Sequence, residues 1–436
     1  MRLGLTAILC VVAVAGPLLL LEDPVLRRAA IAAAICLVLW LAEATQSHVP
    51  TFVLLFAVPM LLGGYGPDYQ LPRVLQWGAD PVLLLFLGGF TLGAAATRYG
   101  VDALVARAVV RLSRRSRRLL VALVAAGTAA LSMWMSNIAA AAMMLAALRP
   151  ALGDRRDHGF RRAALLAVAL GANFGGMATP IGTGPNAIAM SAAFPARIDF
   201  LRWMLLAVPL TAAMLLVGTI ALMVRHRVRG IFSVELRHPE RDPRTNWVMA
   251  IFFLCVALWL TEPLHHIRSE LVAVAAVAAL FGTGLLDRRD LARIDWSTLL
   301  LIAGGIMLGR LLEQSGLLRA AASAVDWTAM PEHVRMFLFV FAAALLSALM
   351  SNTATATMLI PLGMTLQPAP STAVLVAIGC SFGVPFVIST PPNAMVIGEG
   401  GVRSSDLLWP GLPLMIGGAL LVSATGPLVL RLVGIP

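Results

Sequence analysis

A short polar cassette occurs twice in this chain, each time inside apolar runs. The first copy is Ser136-Asn137 followed by Gly182-Thr183-Gly184-Pro185-Asn186, and the second is Ser351-Asn352-Thr353 followed by Ser389-Thr390-Pro391-Pro392-Asn393. In lipid, helix breakers and small oxygen-bearing residues are tolerated only where they line a cavity or are satisfied by neighbouring groups. Two matching interruptions in the two halves of a chain are typical of a transporter's binding site.

The composition places the chain in a membrane. Of its 436 residues, 59% are hydrophobic and 13% are charged, whereas a soluble domain has about 25% charged residues. Apolar runs of about 17 to 25 residues recur along the whole length, which predicts an all-α, polytopic protein surrounded by membrane lipid. The formal charge of +11 comes from arginines in short loops, so it indicates loops on the cytoplasmic side and not nucleic-acid binding.

The two halves of the chain match beyond the cassettes. Leu85 to Gly93 aligns with Leu301 to Gly309, and both segments contain a Gly-Gly pair and a later glycine. We therefore predict that a whole unit has been duplicated. The first repeat covers residues 1–224, the second covers 246–436, and the basic segment 225–245 is a cytoplasmic linker.

Four apolar runs are too long or too interrupted for one simple span. The runs at about 119–148 and 335–364 carry Ser-Asn in the middle, which predicts re-entrant helical hairpins. The runs at about 163–190 and 371–397 carry proline midway, and since proline blocks the helical ladder, they predict broken transmembrane helices. With the basic loops inside, the first hairpin enters from the cytoplasm and the second from outside, so the repeats are inverted.

The hairpin tips bring together groups that suit ions of both signs. At each tip one half-helix ends in unpaired carbonyls, and the next begins with unpaired N–H groups. The N–H end can hold an anion, while carbonyl and side-chain oxygens can hold a hard cation such as sodium. Ser132 and Ser347 lie four residues before their tips, on the same helix face, and are further ligand candidates. The alternative for each serine is a hydrogen bond back to its own helix.

At these residues the chain resembles the divalent anion/sodium symporter family, the dicarboxylate, citrate and sulfate carriers. Ser351 to Ala356 and Thr390 to Asn393 are similar to the paired signatures of that family, and Leu87-Gly88-Gly89 fits its leucine-glycine-glycine element. The resemblance implies a homodimer in which a transport domain moves elevator-fashion past a scaffold domain. It also implies two sodium ions flanking one small-molecule anion.

The resemblance implies which residues hold each ion. The first sodium site would use Ser132, Ser136, Asn137 and Gly182. The second would use Ser347, the carbonyl of Met350, Asn352 and Ser389. The anion would contact Ser136, Asn137, Ser351, Asn352, Thr353, Thr390 and Pro391.

Two positions depart from the family pattern. Ile138 stands where the family usually has threonine, so a hydroxyl that would meet the anion is missing and the substrate's identity is left open. Gly184 replaces the first proline of a Pro-Pro pair, which loosens the backbone there. No arginine, lysine or histidine lies in either cassette. The charge of the anion would then be balanced by sodium, helix dipoles and polar donors.

These features predict a secondary active transporter that couples sodium to uptake of a di- or tricarboxylate across a bacterial inner membrane. Two alternatives keep the fold, namely a sodium-independent anion exchanger and a carrier of sulfate or another oxyanion. A membrane enzyme would need general acids, bases or metal ligands, which the cassettes lack. Two occluding tips suit alternating access better than a channel. For Glu43, at the end of an apolar run, we favour a structural role near the membrane interface.

Overall fold

The computed structural model describes residues 2–42, 45–149, 152, 158–193, 198–232, 242–323 and 330–435. Glu43 and residues 233–241 of the predicted linker lie outside the described residues. The helices of the first half are α1 (Arg2–Leu20), α2 (Pro24–Ala42), α3 (Val49–Leu62), α4 (Leu71–Gly78), α5 (Val82–Arg98), α6 (Val101–Leu112), α7 (Arg117–Ser132), α8 (Asn137–Leu148), α9 (His158–Met177), α10 (Gly184–Ala192) and α11 (Phe200–Arg225). The helices of the second half are α12 (Thr245–Leu260), α13 (Glu262–His265), α14 (Ser269–Gly282), α15 (Arg288–Arg293), α16 (Trp296–Gln314), α17 (Leu317–Ser323), α18 (Glu332–Leu349), α19 (Asn352–Leu366), α20 (Pro370–Cys380), α21 (Pro391–Gly398) and α22 (Ser404–Leu432).

The all-helical prediction is confirmed. Within the described residues, four helices are long and apolar enough to cross a membrane, namely α11, α16, α18 and α22, and the bent pair α4 and α5 makes a fifth span if it is counted as one. The hairpins are the pairs α7 with α8 and α18 with α19, and the broken helices are α9 with α10 and α20 with α21. The repeat boundaries given above stay predictions.

Equivalent helices of the two halves run in opposite directions. α5 ends at Arg98, whose guanidinium binds Asp287 and Asp290 at the start of the short helix α15, which precedes α16. We call this end of the molecule the basic end. The 19 residues of α16 extend about 28 Å at 1.5 Å per residue, so the C-terminal part of α16, which contains Arg310, lies at the opposite end of the molecule. We call this opposite end the far end. α5 runs towards the basic end and α16 runs away from it, so the repeats are inverted.

The two halves exchange packing partners in one unit of the fold. α5 packs against α14 of the other half, and α16 packs against α3. A Cβ at Gly88 would lie only 2.5 Å from Ala273 Cβ, and one at the equivalent Gly304 would overlap Thr51. Both contacts therefore need a residue without a side chain. We call the unit formed by α2 to α5 and α12 to α16 the frame body.

The hairpins and broken helices form a second unit. α7 to α11 and α18 to α22 share the largest cluster of buried apolar side chains, and we call this unit the hairpin body. α10 packs against α19 and α20, while α21 packs against α8 and α9. Phe174 and Phe382 are equivalent residues, and their ring centroids lie 6.3 Å apart. The axis that relates the repeats therefore passes between these two rings.

Candidate substrate and ion site

The two hairpin tips have the same local geometry. Ser136 is the N-cap of α8, with φ −60° and ψ 144°, and its Oγ accepts a hydrogen bond from Ala139 N at 3.2 Å. Ser351 is the N-cap of α19, with φ −67° and ψ 141°, and its Oγ accepts from Ala354 N at 3.2 Å. Each serine uses one free N–H of its helix start. The other N–H groups of that turn point into the space ahead of the tip.

Ser132 belongs to an oxygen-rich cluster behind the first tip. Its buried Oγ lies 2.7 Å from Asn137 Oδ1 and 2.7 Å from the backbone oxygen of Ala172 in α9. A hydroxyl has one proton, so it donates to only one of these two acceptors at a time. The cluster thus has more oxygen acceptors than donors. Such a surplus of oxygen lone pairs suits a hard cation.

The same cluster recurs behind the second tip. Ser347 Oγ lies 2.5 Å from Asn352 Oδ1 and 2.6 Å from the backbone oxygen of Cys380, the last residue of α20. The segment Gly171 to Gly175 aligns with Gly379 to Gly383, so the two backbone oxygens are equivalent. Neither serine hydroxyl donates to a backbone oxygen of its own helix, whereas the Thr128 hydroxyl in α7 does. The cluster was therefore duplicated as a unit.

The unwound segment after α9 brings a fourth oxygen, that of Gly182, to the first cluster. A Cβ at Gly176 would lie 2.6 Å from Asn137 Oδ1 and 3.1 Å from Gly182 O. Both oxygens border one small space, which exists because Gly176 has no side chain. The donor set of Ser132, Asn137 and Gly182 consists of neutral oxygens, which fits a small cation such as sodium.

A hydroxyl ties each unwound segment to its hairpin, but from a different position in each repeat. Ser389 Oγ donates to Ala348 O at 2.8 Å and accepts from Phe386 N at 3.1 Å. In the first repeat, Thr179 Oγ1 donates to the equivalent carbonyl, that of Met133, at 2.5 Å. Thr179 carries no signal in the sequence, because it lies before the cassette and has no counterpart in the second repeat.

The asparagine that ends each cassette stabilises the unwound segment before it. Asn186 Nδ2 donates to Thr179 O of that segment at 2.8 Å and to Gly176 O at the end of α9 at 3.1 Å, and Asn393 Nδ2 donates to two carbonyls at 2.8 and 3.0 Å. Asn173 Nδ2 donates to Asn393 Oδ1 at 3.0 Å and so links the two repeats. The duplicated cassette already contained Asn186 and Asn393. Asn173 carried no signal, because its equivalent is Ser381.

The residues predicted to contact the anion lie around the two tips. Ser136, Asn137, Ser351, Asn352 and Thr353 are half-buried, Thr390 is buried and Pro391 is exposed. The buried Thr390 Oγ1 has no hydrogen-bond partner among the described residues, so it is available to a ligand. Thr183 has the same extended conformation at the start of α10 as Thr390 has before α21. It is a further candidate, which alignment of the cassettes would have found.

Gly184 provides space for the opposite hairpin. α10 begins at Gly184, and a Cβ there would overlap the side chain of Thr353, so the glycine serves a close contact. The looser backbone at this position stays a prediction. In the other half the equivalent pair is Pro391 and Ile138, and Ile138 is 49% exposed. The second tip is therefore packed against the first repeat's broken helix, while the first tip presents an apolar side chain.

A cavity of about 250 Å³ at the basic end reaches the first tip. Its lining includes Ser136 of the hairpin, Thr97 and Arg98 of α5, and Asp290, Arg293 and Asp295 of the frame body. Arg98 binds both Asp287, at 3.0 Å, and Asp290. The N–H of Arg289, helped by Arg98, holds the pKa of Asp287 below its ordinary value, so this carboxylate is charged. The arginine at the mouth is thus paired with carboxylates.

Comparisons with known proteins find transporters. A family model described as "Citrate transporter" matches residues 18–379. The chain is 29% identical over 416 residues to an uncharacterized transporter of Haemophilus influenzae, with 89% of this chain and 88% of that protein covered. It is 28% identical over 381 residues to a sodium-dependent dicarboxylate transporter of Staphylococcus saprophyticus, with 75% and 72% covered. It is 29% identical over 402 residues to an inorganic phosphate transporter of Saccharomyces cerevisiae, with 86% of this chain but 43% of that protein covered.

A solved structure has the same general fold. The YdaH transporter of Alcanivorax borkumensis, described as having an unusual topology, superposes with a TM-score of 0.57. The superposition covers 88% of this chain and 99% of that chain, at 15% sequence identity. At this identity the likeness concerns the fold alone.

Proposed function

Because the chain belongs to the citrate transporter family, whose members are multi-pass membrane transporters and not enzymes, we propose that it couples sodium to uptake of a di- or tricarboxylate across a bacterial inner membrane. The observation that carries the proposal is the duplicated oxygen cluster at Ser132 and Ser347, whose acceptors outnumber its donors. Two such clusters provide for two sodium ions. A relative named as a sodium-dependent dicarboxylate transporter supports both the ion and the cargo.

The absence of basic side chains from the cassettes makes sodium necessary for anion binding in this proposal. The anion would lie between the helix starts at Ser136 and Ser351, where helix dipoles and N–H groups are favourable. These partial charges are smaller than the charge of a dicarboxylate. Two sodium ions next to the tips supply the remainder, so anion affinity follows sodium occupancy.

The frame body offers a smooth face to the hairpin body along α5. A Cβ at Gly89 would lie 2.9 Å from Ile181 Cδ1, and one at Gly93 would lie 3.2 Å from Met135 Cβ. The first tip thus rests at the level of Gly93, close to the basic end. Because these glycines have no side chains, the face of α5 does not interdigitate with the hairpin body, which allows the two bodies to slide past each other.

The equivalent glycines of α16 face a different part of the second hairpin. A Cβ at Gly305 would overlap Thr357, and one at Gly309 would lie 3.1 Å from Pro361 Cγ. In the first repeat, Gly93 of α5 faces Met135 at the hairpin tip. If the second repeat had the same arrangement, the equivalent Gly309 would face Met350. Met350 precedes Pro361 by eleven residues, which corresponds to about 16 Å along a helix.

Exposed side chains on the second hairpin and broken helix support this asymmetry. Ile181 is 3% exposed against α5, but its equivalent Ile388 is 71% exposed. Trp134 stacks on Trp259 of the frame body at 6.2 Å, but its equivalent Leu349 is 54% exposed. In this structure, therefore, only the first hairpin tip is docked against the frame body. The proposal includes the mirrored state, reached when the hairpin body moves about 16 Å towards the far end, as an elevator mechanism requires.

The positive-inside rule places the basic end in the cytoplasm. The cavity that reaches Ser136 would then open inwards, so the structure has the arrangement of an inward-facing state. In the homodimer that the proposal includes, the frame bodies would make the contact between subunits and stay fixed in the membrane.

Uptake into proteoliposomes tests the proposed function. With succinate, malate, citrate, sulfate and phosphate offered separately, we expect uptake of at least one carboxylate only under an inward sodium gradient, with a sodium dependence steeper than first order. Replacing sodium by potassium should reduce uptake to the level of empty liposomes. Uptake that is indifferent to sodium and requires anion loaded inside would establish the exchanger instead.

A carrier of an inorganic oxyanion is the second candidate. Ile138 removes a hydroxyl from the first tip, and one relative is named as an inorganic phosphate transporter. Phosphate uptake without carboxylate uptake in the same panel would select this candidate. The sodium clusters and the elevator movement would be unchanged.

Gly176→Ala is expected to weaken the first sodium site. The added methyl would lie 2.6 Å from Asn137 Oδ1, so the amide must shift, and overpacking of this kind costs about 1–3 kcal/mol. We expect the sodium concentration for half-maximal uptake to rise about tenfold or more. Gly417→Ala in α22 is the matched control, since a Cβ there meets nothing within 4 Å. An unchanged sodium dependence in Gly176→Ala would place the ion elsewhere.

A further inference from the structure

A second cavity, of about 370 Å³, lies at the far end between the two bodies. α16 and α17 form one wall and α10 and α19 form the other. Its charged side chains are Arg310, Glu313 and Arg319, and its hydroxyl side chains include Ser191 and Thr365. Arg310 Nη1 lies 3.2 Å from Glu313 Oε2, and both side chains are largely open to solvent.

The charges of this wall belong to one repeat only. Because Gly93 aligns with Gly309, Arg310 and Glu313 correspond to Ala94 and Thr97 of α5, which line the cavity at the basic end. The glycines of α5 that face the hairpin body pack closely against it without charged residues beside them. The glycine contacts of α16 do not need a charge at position 310, so packing does not account for Arg310, whose side chain lines the cavity.

The two cavities differ in electrostatics. At the basic end, Arg98 and Arg293 are offset by Asp290 and Asp295, and Arg98 is paired in addition with Asp287. At the far end, the lining side chains are two arginines and one glutamate. Asp80, which accepts a hydrogen bond from Ser191 of the far cavity, adds one negative charge there, as Asp287 does at the basic end. The far cavity is therefore one charge more positive and attracts an anion more strongly than the basic-end cavity.

The mirrored state would bring the second tip to Arg310. The basic-end cavity is lined by Met135 and Ser136 beside Gly93, and their equivalents beside Gly309 are Met350 and Ser351. In that state the N-terminus of α19 and the guanidinium of Arg310 share one cavity. This step rests on the proposed function, because it uses the elevator movement.

We propose that Arg310, assisted by Arg319, is an anion-capture site for the oxyanion group of the substrate at the far end. The planar guanidinium binds a carboxylate or a phosphate through two parallel hydrogen bonds. Glu313 holds Arg310 in the cavity and competes with the incoming anion for it. The captured anion passes to Ser351 and Asn352 at the tip. At the basic-end cavity, the lining arginines Arg98 and Arg293 are matched in number by the lining carboxylates Asp290 and Asp295, which favours release there.

Uptake kinetics in intact bacterial cells test this site, because only the outer side then meets the anion. Arg310→Gln should raise the KM for the anion about tenfold, with the maximal rate changed less than about twofold. Arg310→Lys should recover part of the affinity, and Glu313→Gln should lower the KM about twofold. Arg268→Gln, an exposed arginine at the start of α14 outside this cavity, should leave the KM unchanged.

Ionic strength and the identity of the anion complete the test. The difference in KM between the wild-type protein and Arg310→Gln should shrink as salt rises, because exposed charges are screened. Parallel measurements with succinate and phosphate identify whether a carboxylate or a phosphate is captured. A KM unaffected by Arg310→Gln, or a loss of maximal rate alone, overturns the capture site while wild-type sodium-dependent uptake upholds the proposed function. Wild-type protein without any anion uptake overturns the proposed function itself.

Discussion

Asn137→Ala and Asn352→Ala are each expected to lower the rate of transport by at least about 30-fold. Each amide oxygen is part of an oxygen cluster, at 2.7 Å from Ser132 Oγ and 2.5 Å from Ser347 Oγ. Losing a polar partner of a charged group costs about 1.5–3 kcal/mol. Each asparagine is in addition a predicted contact of the anion, so both ion and anion binding suffer. Initial rates of sodium-driven uptake in proteoliposomes measure the loss.

The two variants should remain folded. Without the amide, each serine hydroxyl still has its second acceptor, the backbone oxygen of Ala172 or Cys380. Thermal unfolding should therefore shift by no more than a few degrees. Ser423→Ala is the matched control, since this buried hydroxyl bonds back to its own helix, and it should transport normally. Full activity in both asparagine variants would show that the ions bind elsewhere.

Cross-linking Gly309→Cys to Met350→Cys is expected to stop transport completely and reversibly. In the proposed mirrored state, residue 350 would lie beside residue 309, whereas the present structure has Pro361 there. Oxidation should therefore trap the hairpin body at the far end, and reduction should restore uptake. The native cysteines at 10, 36, 255 and 380 must first be replaced, with alanine at 380, as at the equivalent Ala172.

A second pair reports the state that the structure shows. A Cβ at Gly309 lies 3.9 Å from Pro361 Cβ, within the range of about 3.5–4.5 Å that a disulfide needs. The double variant Gly309→Cys, Pro361→Cys should thus cross-link and block transport by trapping the hairpin body in the position that the structure shows. Gly309→Cys alone should be insensitive to oxidant. If residues 309 and 361 cross-link but 309 and 350 never do, the hairpin body does not travel along α16.

Local features of the site were predictable because local physics determines them. A serine followed by a run of helix formers predicts an N-cap, and Ser136 and Ser351 are the caps. The four-residue spacing of Ser132 and Ser347 from the tips placed them on the inner face of each hairpin. The predicted start of the first hairpin, at about 119, lies near the observed Arg117.

The partners of these residues were not predictable, because they come from other helices. Nothing in the sequence near Ser132 indicates that the carbonyl of Ala172 completes its cluster. Thr179 donates to the hairpin carbonyl in the first repeat as Ser389 does in the second, but from a different position in the sequence, and only the packed structure shows this. The effect of Gly184 likewise depends on Thr353, which is contributed by the opposite repeat.

The exchange of partners between halves bears on how such a protein could have originated. α5 packs on α14, α16 packs on α3, and Phe174 lies against its own counterpart Phe382. Neither half buries its apolar faces alone, so a single-copy ancestor would have required a second molecule inserted upside down. Fusion of two such genes would then have fixed one up and one down orientation within a single polypeptide.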